Sequence, residues 1–247
     1  MLYIVSTPIG NLKDITYRAV EVLSLADYIL CEDTQHSPTL LKAYKIQKTL
    51  YSYHKFNEAQ KLDGIIEDLK KNMSIALISD AGTPGICDPG QRLILRCIEE
   101  GLPYTVVPGA CAFVAALSLS GLSEEKFQFV GFLPKKESEI KKVIQYEGIS
   151  ICYESPHRLL KTLKILGDLP VTVVREITKL HEECKKGSAK ELLQHYIEHP
   201  PRGEIVLLIS GGPTKAENIE TEKEALKLIA KLRGVPKREI YKIFHLS

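Results

Sequence analysis

Short apolar runs alternate with amphipathic stretches along the first half of the chain. Each run closes at Asp, Gly or Pro, and the stretches between runs repeat their apolar residues at helical spacing. The pattern predicts strands at residues 2–6, 28–31, 49–53, 75–79 and 104–107, and helices at 17–25, 38–44, 58–71, 91–100 and 112–119. Because parallel neighbours need a long connection, this alternation predicts a mainly parallel sheet with helical crossovers.

The same alternation of predicted strands and helices begins again after a loop-like stretch at residues 120–123. Strands are predicted at residues 127–132, 149–153, 171–174 and 205–209, helices at 139–146, 158–166 and 190–198, and some antiparallel pairing around 179–186. Gly211-Gly212-Pro213 is typical of a linker, and two short helices are predicted beyond it at 222–232 and 238–244. We therefore expect an α/β protein with two α/β domains, residues 1–119 and 120–212, and a small C-terminal helical extension, residues 213–247.

Length and composition narrow the class of protein. A chain of 247 residues that is 44% hydrophobic can bury a sizeable core. No apolar run is long enough to cross a bilayer, and the N-terminus lacks the basic lead of a signal peptide, so we expect a cytoplasmic protein without a membrane partner. The six cysteines form no CxxC pair, which favours reduced thiols.

Charge gives only a weak indication of a partner. The net charge of +2 is too small to argue for nucleic-acid binding by itself. Local basic clusters occur at Lys135, Lys136, Lys141 and Lys142, and near the C-terminus at Lys227, Lys231, Arg233, Lys237, Arg238 and Lys242. Each cluster is compatible with contacts to RNA phosphates and equally with a solvated helix face.

Three Gly- and Pro-rich loops follow predicted strands, at residues 6–12, 79–90 and 108–112. Ligands of open α/β sheets bind at the carboxyl ends of strands, and small residues let a flat ligand approach the backbone. The GxGxxG fingerprint and the GxxxxGK[ST] phosphate loop are absent from the sequence. We expect one crevice suited to adenine and ribose, although each loop alone is also compatible with a well-capped structural turn.

The motifs TPIGNL, SDAGTP, DPG, PGAC and YESPHR occur in this order between residues 7 and 158. Together they resemble the tetrapyrrole (corrin and porphyrin) methylase superfamily, and within it the branch of ribosomal RNA small-subunit methyltransferases. The resemblance extends from Leu2 to about Ile209 and includes Glu32-Asp33-Thr34, His54 and the segment 175–179. Short loops that recur in one order and spacing are far more specific than any of them alone.

The resemblance implies a fold and an activity. It implies a dimeric, two-domain α/β methyltransferase that holds S-adenosyl-L-methionine in the cleft between its domains and requires no metal. Its substrate would be the ribose 2′-hydroxyl of a cytidine in small-subunit ribosomal RNA, either naked or in the assembled subunit. Two alternatives stay open: a tetrapyrrole methylase of the same superfamily, and a non-catalytic RNA-binding module that uses the C-terminal basic helices.

The resemblance also implies site residues. Those that would contact the cofactor are Pro8, Asp80, Gly82, Thr83, Gly109, Cys111, Ala112 and Tyr153. Those that would surround the target ribose are Glu32, Asp33, His54, Glu154, Arg175 and Glu176, with the general base not assigned among them. An interdomain ion-pair network, such as Arg175 with Glu32 or Glu154, would explain these charges equally well.

Two positions depart from the pattern of the branch. Gln35 stands where Arg usually follows Glu-Asp-Thr, so the anion contact that an Arg would make at this position is missing. Ala110 stands where a second Pro is common, which loosens the third loop slightly.

Overall fold

The computed structural model describes residues 1–122, 126–211 and 230. The strands in this part of the chain form two five-stranded sheets. The strands are β1 (Leu2–Val5), β2 (Tyr28–Cys31), β3 (Leu50–Ser52), β4 (Ile75–Leu77), β5 (Tyr104–Val107), β6 (Phe127–Phe132), β7 (Ile149–Glu154), β8 (Pro170–Arg175), β9 (Glu183–Ser188) and β10 (Ile205–Ser210). The helices are α1 (Tyr17–Leu25), α2 (Ser37–Ala43), α3 (Glu58–Lys70), α4 (Gln91–Glu99), α5 (Ala112–Ser120), α6 (Glu137–Ile144), α7 (Pro156–Leu166) and α8 (Ala189–Glu198).

The first sheet is parallel throughout, with strand order β3-β2-β4-β1-β5. Its central strands are apolar without alternation, as β2 and β4 are buried at every position. This is the pattern of a sheet covered on both faces, and separate apolar clusters do lie on its two sides, one around Leu77 and one around Ile78. The parallel arrangement puts the carboxyl ends of the strands at one edge, where the predicted loops emerge.

The second sheet is mixed, with strand order β6-β7-β10-β8-β9. Strand β6 pairs with β7 in parallel, and the other three pairings are antiparallel. Helix α7 joins β7 to β8, which run in the same direction, but β10 lies between them and pairs antiparallel with each. The α/β class is confirmed, and antiparallel pairing extends further than the sequence indicated because an inserted strand leaves no local signal.

Local sequence explains where the helices begin and end. The Thr16 hydroxyl caps α1 and the Ser155 hydroxyl caps α7, while Ser188 and Glu191 form a reciprocal capping box on α8. Gly121 ends α5 in the left-handed region, at φ +57°. Most predicted bounds agree with the structure to within one or two residues. Helix α6 begins two residues earlier than predicted, at Glu137, where two acidic residues occupy the first turn.

Helix α5 connects the two halves of the molecule. It follows the last strand of the first sheet, yet it packs against β7, β8 and β10 of the second. The apolar cluster at this contact is built around Ala116, Ile151 and Leu208, and it also includes Ile9 from the first loop. The second sheet therefore contacts the first half of the molecule through α5 and the first loop. Domain bounds at 119/120 and 212/213 stay predictions.

Two further observations concern the chain as a whole. Within residues 1–122 and 126–211, no helix is both long enough and apolar enough to cross a membrane. The predicted C-terminal helices, and Lys237, Arg238 and Lys242 with them, lie outside the described residues.

Candidate active site

A cavity of about 360 Å³ lies between the two sheets. One wall comes from the second Gly/Pro loop and the start of α5, and the opposite wall from the second sheet and its loops. The residues that line it are Ile9, Asp80, Ala81, Gly82, Thr83, Ile86, Cys87, Asp88, Cys111, Ala112, Phe132, Tyr153, Glu154, Ser155, Pro156, Ile177, Gly203, Glu204, Ile205 and Val206. Its position at the carboxyl edge of a parallel sheet is where α/β folds bind ligands.

Direct hydrogen bonds join the three loops that sequence analysis placed at strand ends. Thr7 and Gly82 exchange backbone hydrogen bonds of 2.8 and 3.1 Å. The hydroxyls of Ser6 and Thr83 lie 2.8 Å apart, and the Thr83 hydroxyl donates to the Ala110 carbonyl at 3.2 Å. The first, second and third loops thus form one connected wall.

Two glycines are required for this wall to close. A Cβ at Gly109 would lie 2.9 Å from the Cβ of Ser6, closer than side chains approach one another. Gly82 has φ +84°, in the region that favours glycine, and pairs with Thr7 from that conformation. Larger residues at these positions would push the loops apart.

Six of the eight residues predicted to contact the cofactor line the cavity: Asp80, Gly82, Thr83, Cys111, Ala112 and Tyr153. Pro8 is buried and lines an adjoining pocket, and Gly109 lies behind the wall against Ser6. The structure therefore brings these residues to one place. Whether they bind the cofactor stays a prediction.

Carboxylates concentrate at one end of the cavity. Burial, followed by the charge of Glu32, raises the pKa of Asp88 to about 6, although a hydrogen bond with the Ser79 hydroxyl lowers it slightly. Burial, followed by the charge of Asp80, also raises the pKa of Glu32. Asp80 accepts a hydrogen bond from the backbone N–H of Asp33 at 3.3 Å. Such an acidic edge favours a cationic ligand group over an anionic one.

The cavity is also lined by residues that were not among the predicted site residues, including Asp88, Glu204, Cys87 and Phe132. The signal available for Asp88 was its place in a DPG turn directly after the second loop. Cys87 lies in the same loop but belongs to none of the motifs, and Glu204 and Phe132 reach the cavity from distant parts of the chain.

Aromatic rings form the wall on the second sheet. Tyr153 packs edge-on against Phe129 and Phe132, with ring centroids 5.1 and 5.6 Å away. Burial, with smaller effects of Cys111, Cys87 and Asp88, raises the pKa of the Tyr153 hydroxyl, so the phenol stays neutral at physiological pH. The rings of Tyr153 and Phe132, together with Ile177 and Val206, offer an apolar surface to a flat ligand in the cavity.

The carboxylate of Glu154 is fully enclosed, with none of its side chain exposed. One oxygen accepts from the backbone N–H of Ser155 at 2.7 Å and the other from the Thr162 hydroxyl at 2.6 Å. Arg158 lies 3.6 Å away and donates to the carbonyls of Leu133 and Pro134. Every contact is with its own half of the molecule, an arrangement typical of a structural carboxylate. Its predicted catalytic role is not tested by this geometry.

Arg175 donates to Glu183 at 2.7 Å, and Glu183 also accepts from the Tyr196 hydroxyl. An ion pair does hold Arg175, but its partner is neither Glu32 nor Glu154. Glu176, at φ +51°, accepts from Lys179 and from the backbone N–H of Glu204, both at 2.9 Å. Burial raises the pKa of Glu176, but these hydrogen bonds outweigh burial and hold it below its ordinary value.

Glu32, Asp33 and His54 lie together at the carboxyl ends of β2 and β3. Glu32 and His54 are half-buried and Asp33 is exposed, as is Gln35. The ring of His54 is oriented by the backbone N–H of Phe56 and the side-chain amide of Asn57. The six residues predicted to surround the ribose thus form two groups, one on each sheet, on opposite sides of the cleft.

A second pocket of about 380 Å³ adjoins the first. Its lining comprises Thr7, Pro8, Ile9, Gly10, Leu12, His36, Ser37, Thr39, Leu40, Ile78, Ser79, Asp80, Ala81, Lys179 and Glu204. The two spaces share Ile9, Asp80, Ala81 and Glu204 as a common wall. For the described residues, no group of three or more His, Cys, Asp or Glu side chains is placed to hold a metal ion.

Comparison with known proteins gives a consistent result. The model of the family "Tetrapyrrole (Corrin/Porphyrin) Methylases" matches residues 1–193. Proteins named ribosomal RNA small subunit methyltransferase I are similar over most of the chain. That of Halalkalibacterium halodurans is 40% identical and covers 99% of this chain and 94% of its own length. That of Haemophilus influenzae is 42% identical, and the match covers 93% of this chain and 85% of the relative's length.

Solved structures share the fold at low sequence identity. Uroporphyrin-III-C-methyltransferase from Thermus thermophilus aligns with a TM-score of 0.62 at 20% identity, over 85% of this chain and 94% of that one. A diphthine synthase aligns with a TM-score of 0.67 at 14% identity, over 85% of this chain and 89% of that one. At such identities the likeness concerns the fold alone.

Proposed function

The chain belongs to the tetrapyrrole (corrin/porphyrin) methylase family, and on this basis we propose that it transfers the methyl group of S-adenosyl-L-methionine to small-subunit ribosomal RNA. The observation that carries the proposal is the extent of its similarity to small-subunit methyltransferases, up to 99% of this chain and 94% of the relative at 40% identity. The fold by itself does not choose the substrate, because uroporphyrin and diphthine enzymes share it.

The cavity between the sheets fits the methyl donor. Bound there, S-adenosyl-L-methionine would supply an electrophilic methyl group on a positively charged sulfur. Asp80 and Asp88 provide negative charge at one end, which favours the cationic sulfonium and ammonium groups. Gly82, Thr83 and Ala112 let a ligand approach the backbone, and Tyr153 borders the apolar surface suited to an adenine ring.

We propose the 2′-oxygen of a cytidine ribose as the acceptor atom. The resemblance to the 2′-O-methylating branch supports this choice, and Glu154, one of the charged residues predicted to surround the ribose, lines the cavity. Glu32, Asp33 and His54 are accessible at the edge of the first sheet and can contact RNA. The enclosed Glu154 is more suited to holding the start of α7 than to meeting a substrate.

A homodimer in the cytoplasm is part of the proposal. The resemblance supports the dimer, and an RNA substrate found in ribosomes supports the compartment. The chain has a mass of 27.7 kDa, so light scattering on the purified protein should give about twice that value. A mass near 28 kDa at micromolar concentration would contradict the dimer.

Methyl transfer to competing acceptors tests the proposal. Tritiated S-adenosyl-L-methionine is offered with small ribosomal subunits that lack the modification, with naked small-subunit RNA, and with a uroporphyrinogen. Label in ribosomal RNA from either RNA sample supports the proposal, and the ratio between the two samples identifies the preferred substrate. Label in the porphyrinogen alone would favour the tetrapyrrole methylase. Binding of RNA without transfer to any acceptor would favour the non-catalytic module.

A further inference from the structure

Residues 34–57 contain several lysines and no Asp or Glu, and these lysines are Lys42, Lys45, Lys48 and Lys55. The segment comprises α2, the edge strand β3 and the loop after β3. All of these lysines are exposed or half-buried, and among the described residues none lies within 4 Å of a carboxylate. The segment therefore carries positive charge that no carboxylate in contact with it neutralises.

The basic cluster on α6 differs from this segment. Lys136 and Lys141 lie 3.7 and 2.8 Å from the carboxylates of Glu139 and Glu137. Such a pair has no net charge and attracts a phosphate only weakly. Unpaired lysines on an edge strand can also prevent a second sheet from pairing with it, a role that requires charge alone. A binding surface is distinguished from such a protected edge by a further feature of the segment.

An exposed aromatic ring lies at the end of the same segment. The Phe56 side chain is 93% exposed, in the loop at the carboxyl end of β3. Its ring centroid lies 6.1 Å from that of His54. The loop is held in place because the Asn57 amide and the Lys61 ammonium both donate to the Ser52 carbonyl, at 3.2 and 2.7 Å. Protection of an edge does not require such a ring, whereas an unpaired RNA base can stack on it.

We propose that this segment binds an unpaired strand of the substrate RNA, with the lysines contacting phosphates and one base stacked on Phe56. The inference rests on the proposed function. Basic groups together with an exposed aromatic ring are the chemistry that single-stranded nucleic acids require. The cavity itself is lined by Asp80 and Asp88, which repel phosphates. Because the loop of Phe56 and the cavity both lie at the carboxyl edge of the first sheet, a strand held on the segment leads toward the cavity.

Filter binding of naked small-subunit RNA at several salt concentrations tests the lysines. Replacing Lys42, Lys45 and Lys48 together by Ala removes up to about three phosphate contacts. Each contact on a single strand contributes about 0.7 to the slope of log affinity against log salt, so the slope should become shallower by about 2. An unchanged slope in this variant would overturn the proposal.

A matched control removes the same charge from another surface. Helices α7 and α8 pack on the face of the second sheet opposite the face that packs against α5. The control replaces the exposed residues Lys161, Lys164 and Lys190 of these helices by Ala. Its salt slope should stay at the wild-type value. An equal change of slope in both variants would show a general effect of net charge and would overturn the assignment to residues 34–57.

Phe56→Ala tests the stacked base separately from the phosphates. Loss of a base–aromatic contact should weaken binding of the same RNA at least about fivefold, and the salt slope should not change because no charge is removed. Phe56→Tyr keeps a ring of similar size and should bind RNA as wild type does. Equal affinity of the wild-type protein and Phe56→Ala would overturn the stacking role.

These binding measurements require no methyl donor, so they separate this inference from the proposed function. If wild-type protein binds the RNA through residues 34–57 but transfers no methyl group to small subunits or to naked RNA, the proposed function is wrong and the binding surface is supported. If wild-type protein methylates the RNA and the lysine and Phe56→Ala variants bind it as wild type does, only the binding surface is wrong. An absence of RNA binding by wild-type protein would overturn the surface as well.

Discussion

Two carboxylates beside the cavity show how environment decides the role of a residue. Glu154 is enclosed and accepts hydrogen bonds on both oxygens, with Arg158 nearby. Asp88 is half-buried among other acids, and its pKa is raised to about 6. The surroundings of Glu154 stabilise its carboxylate anion, whereas those of Asp88 destabilise its carboxylate anion. Glu154 is among the predicted site residues and Asp88 is not, because burial and the charges of distant neighbours are not visible in a local motif. A catalytic role of Glu154 stays a prediction.

Asp88→Asn should make the protein more stable at neutral pH. The pKa of Asp88 is about 6 in the folded state against about 3.9 in an unfolded chain, so the folded state loses stability as pH rises from about 4 to above 6. Removing the charge should therefore raise the free energy of unfolding by about 1 kcal/mol at pH 8, after allowance for solvent screening. Urea denaturation at pH 4 and pH 8 measures this. An equal effect at both pH values would contradict the shifted pKa.

Glu154→Gln should lower the free energy of unfolding by about 1–3 kcal/mol, since a hydrogen-bonded buried carboxylate is replaced by a group that cannot accept from both partners. Thr162→Val removes one of the donors and should show a loss of the same sign. Folded Glu154→Gln protein should keep a near-wild-type single-turnover rate at saturating RNA and methyl donor. Normal stability with a rate reduced more than about tenfold would instead establish the predicted catalytic role.

At the scale of elements, the strand-end loops are what position the site. Because Gly109 lies against Ser6, Gly109→Ala should separate the first and third loops and weaken S-adenosyl-L-methionine binding by about tenfold or more, measured by calorimetry. Gly64→Ala is the matched control. Gly64 lies on helix α3, and no atom lies within 4 Å of a Cβ placed there. This variant should therefore gain about 0.5–1 kcal/mol of stability without a change in its affinity for S-adenosyl-L-methionine. Equal affinity in both variants would place the cofactor elsewhere.

The elements themselves were largely predictable, and their arrangement only in part. Each predicted strand and helix within the described residues exists, because apolar periodicity and caps such as Ser188 are local properties. The parallel first sheet follows from the strand–helix rhythm. The position of β10 between β7 and β8 does not, since it depends on pairing between segments far apart in sequence. For the same reason, the ion-pair alternative named Glu32 or Glu154 as the partner of Arg175, whereas its partner Glu183 lies on the neighbouring strand.

At the scale of the whole molecule, RNA docking requires surface beyond one pocket. Lys237, Arg238 and Lys242 cluster near the C-terminus, outside the described residues, and we predict that they contact phosphates. Replacing all three by Ala should lower the slope of log affinity against log salt by up to about three phosphate contacts, measured by filter binding. Replacing Lys135, Lys136 and Lys141 instead shows whether any basic cluster has the same effect. An unchanged slope in the C-terminal variant would assign those residues to a solvated helix face.

We propose that this molecule methylates a ribose of small-subunit RNA with S-adenosyl-L-methionine. Mass spectrometry of nucleosides tests it most directly, after small subunits that lack the modification are incubated with the protein and an isotopically labelled methyl donor. Label should appear in 2′-O-methylcytidine, disappear when S-adenosyl-L-methionine is omitted, and fall strongly with Gly109→Trp, which would push the joined loops apart. Label on a base, or no label in ribosomal RNA from subunits that the protein demonstrably binds, would contradict it.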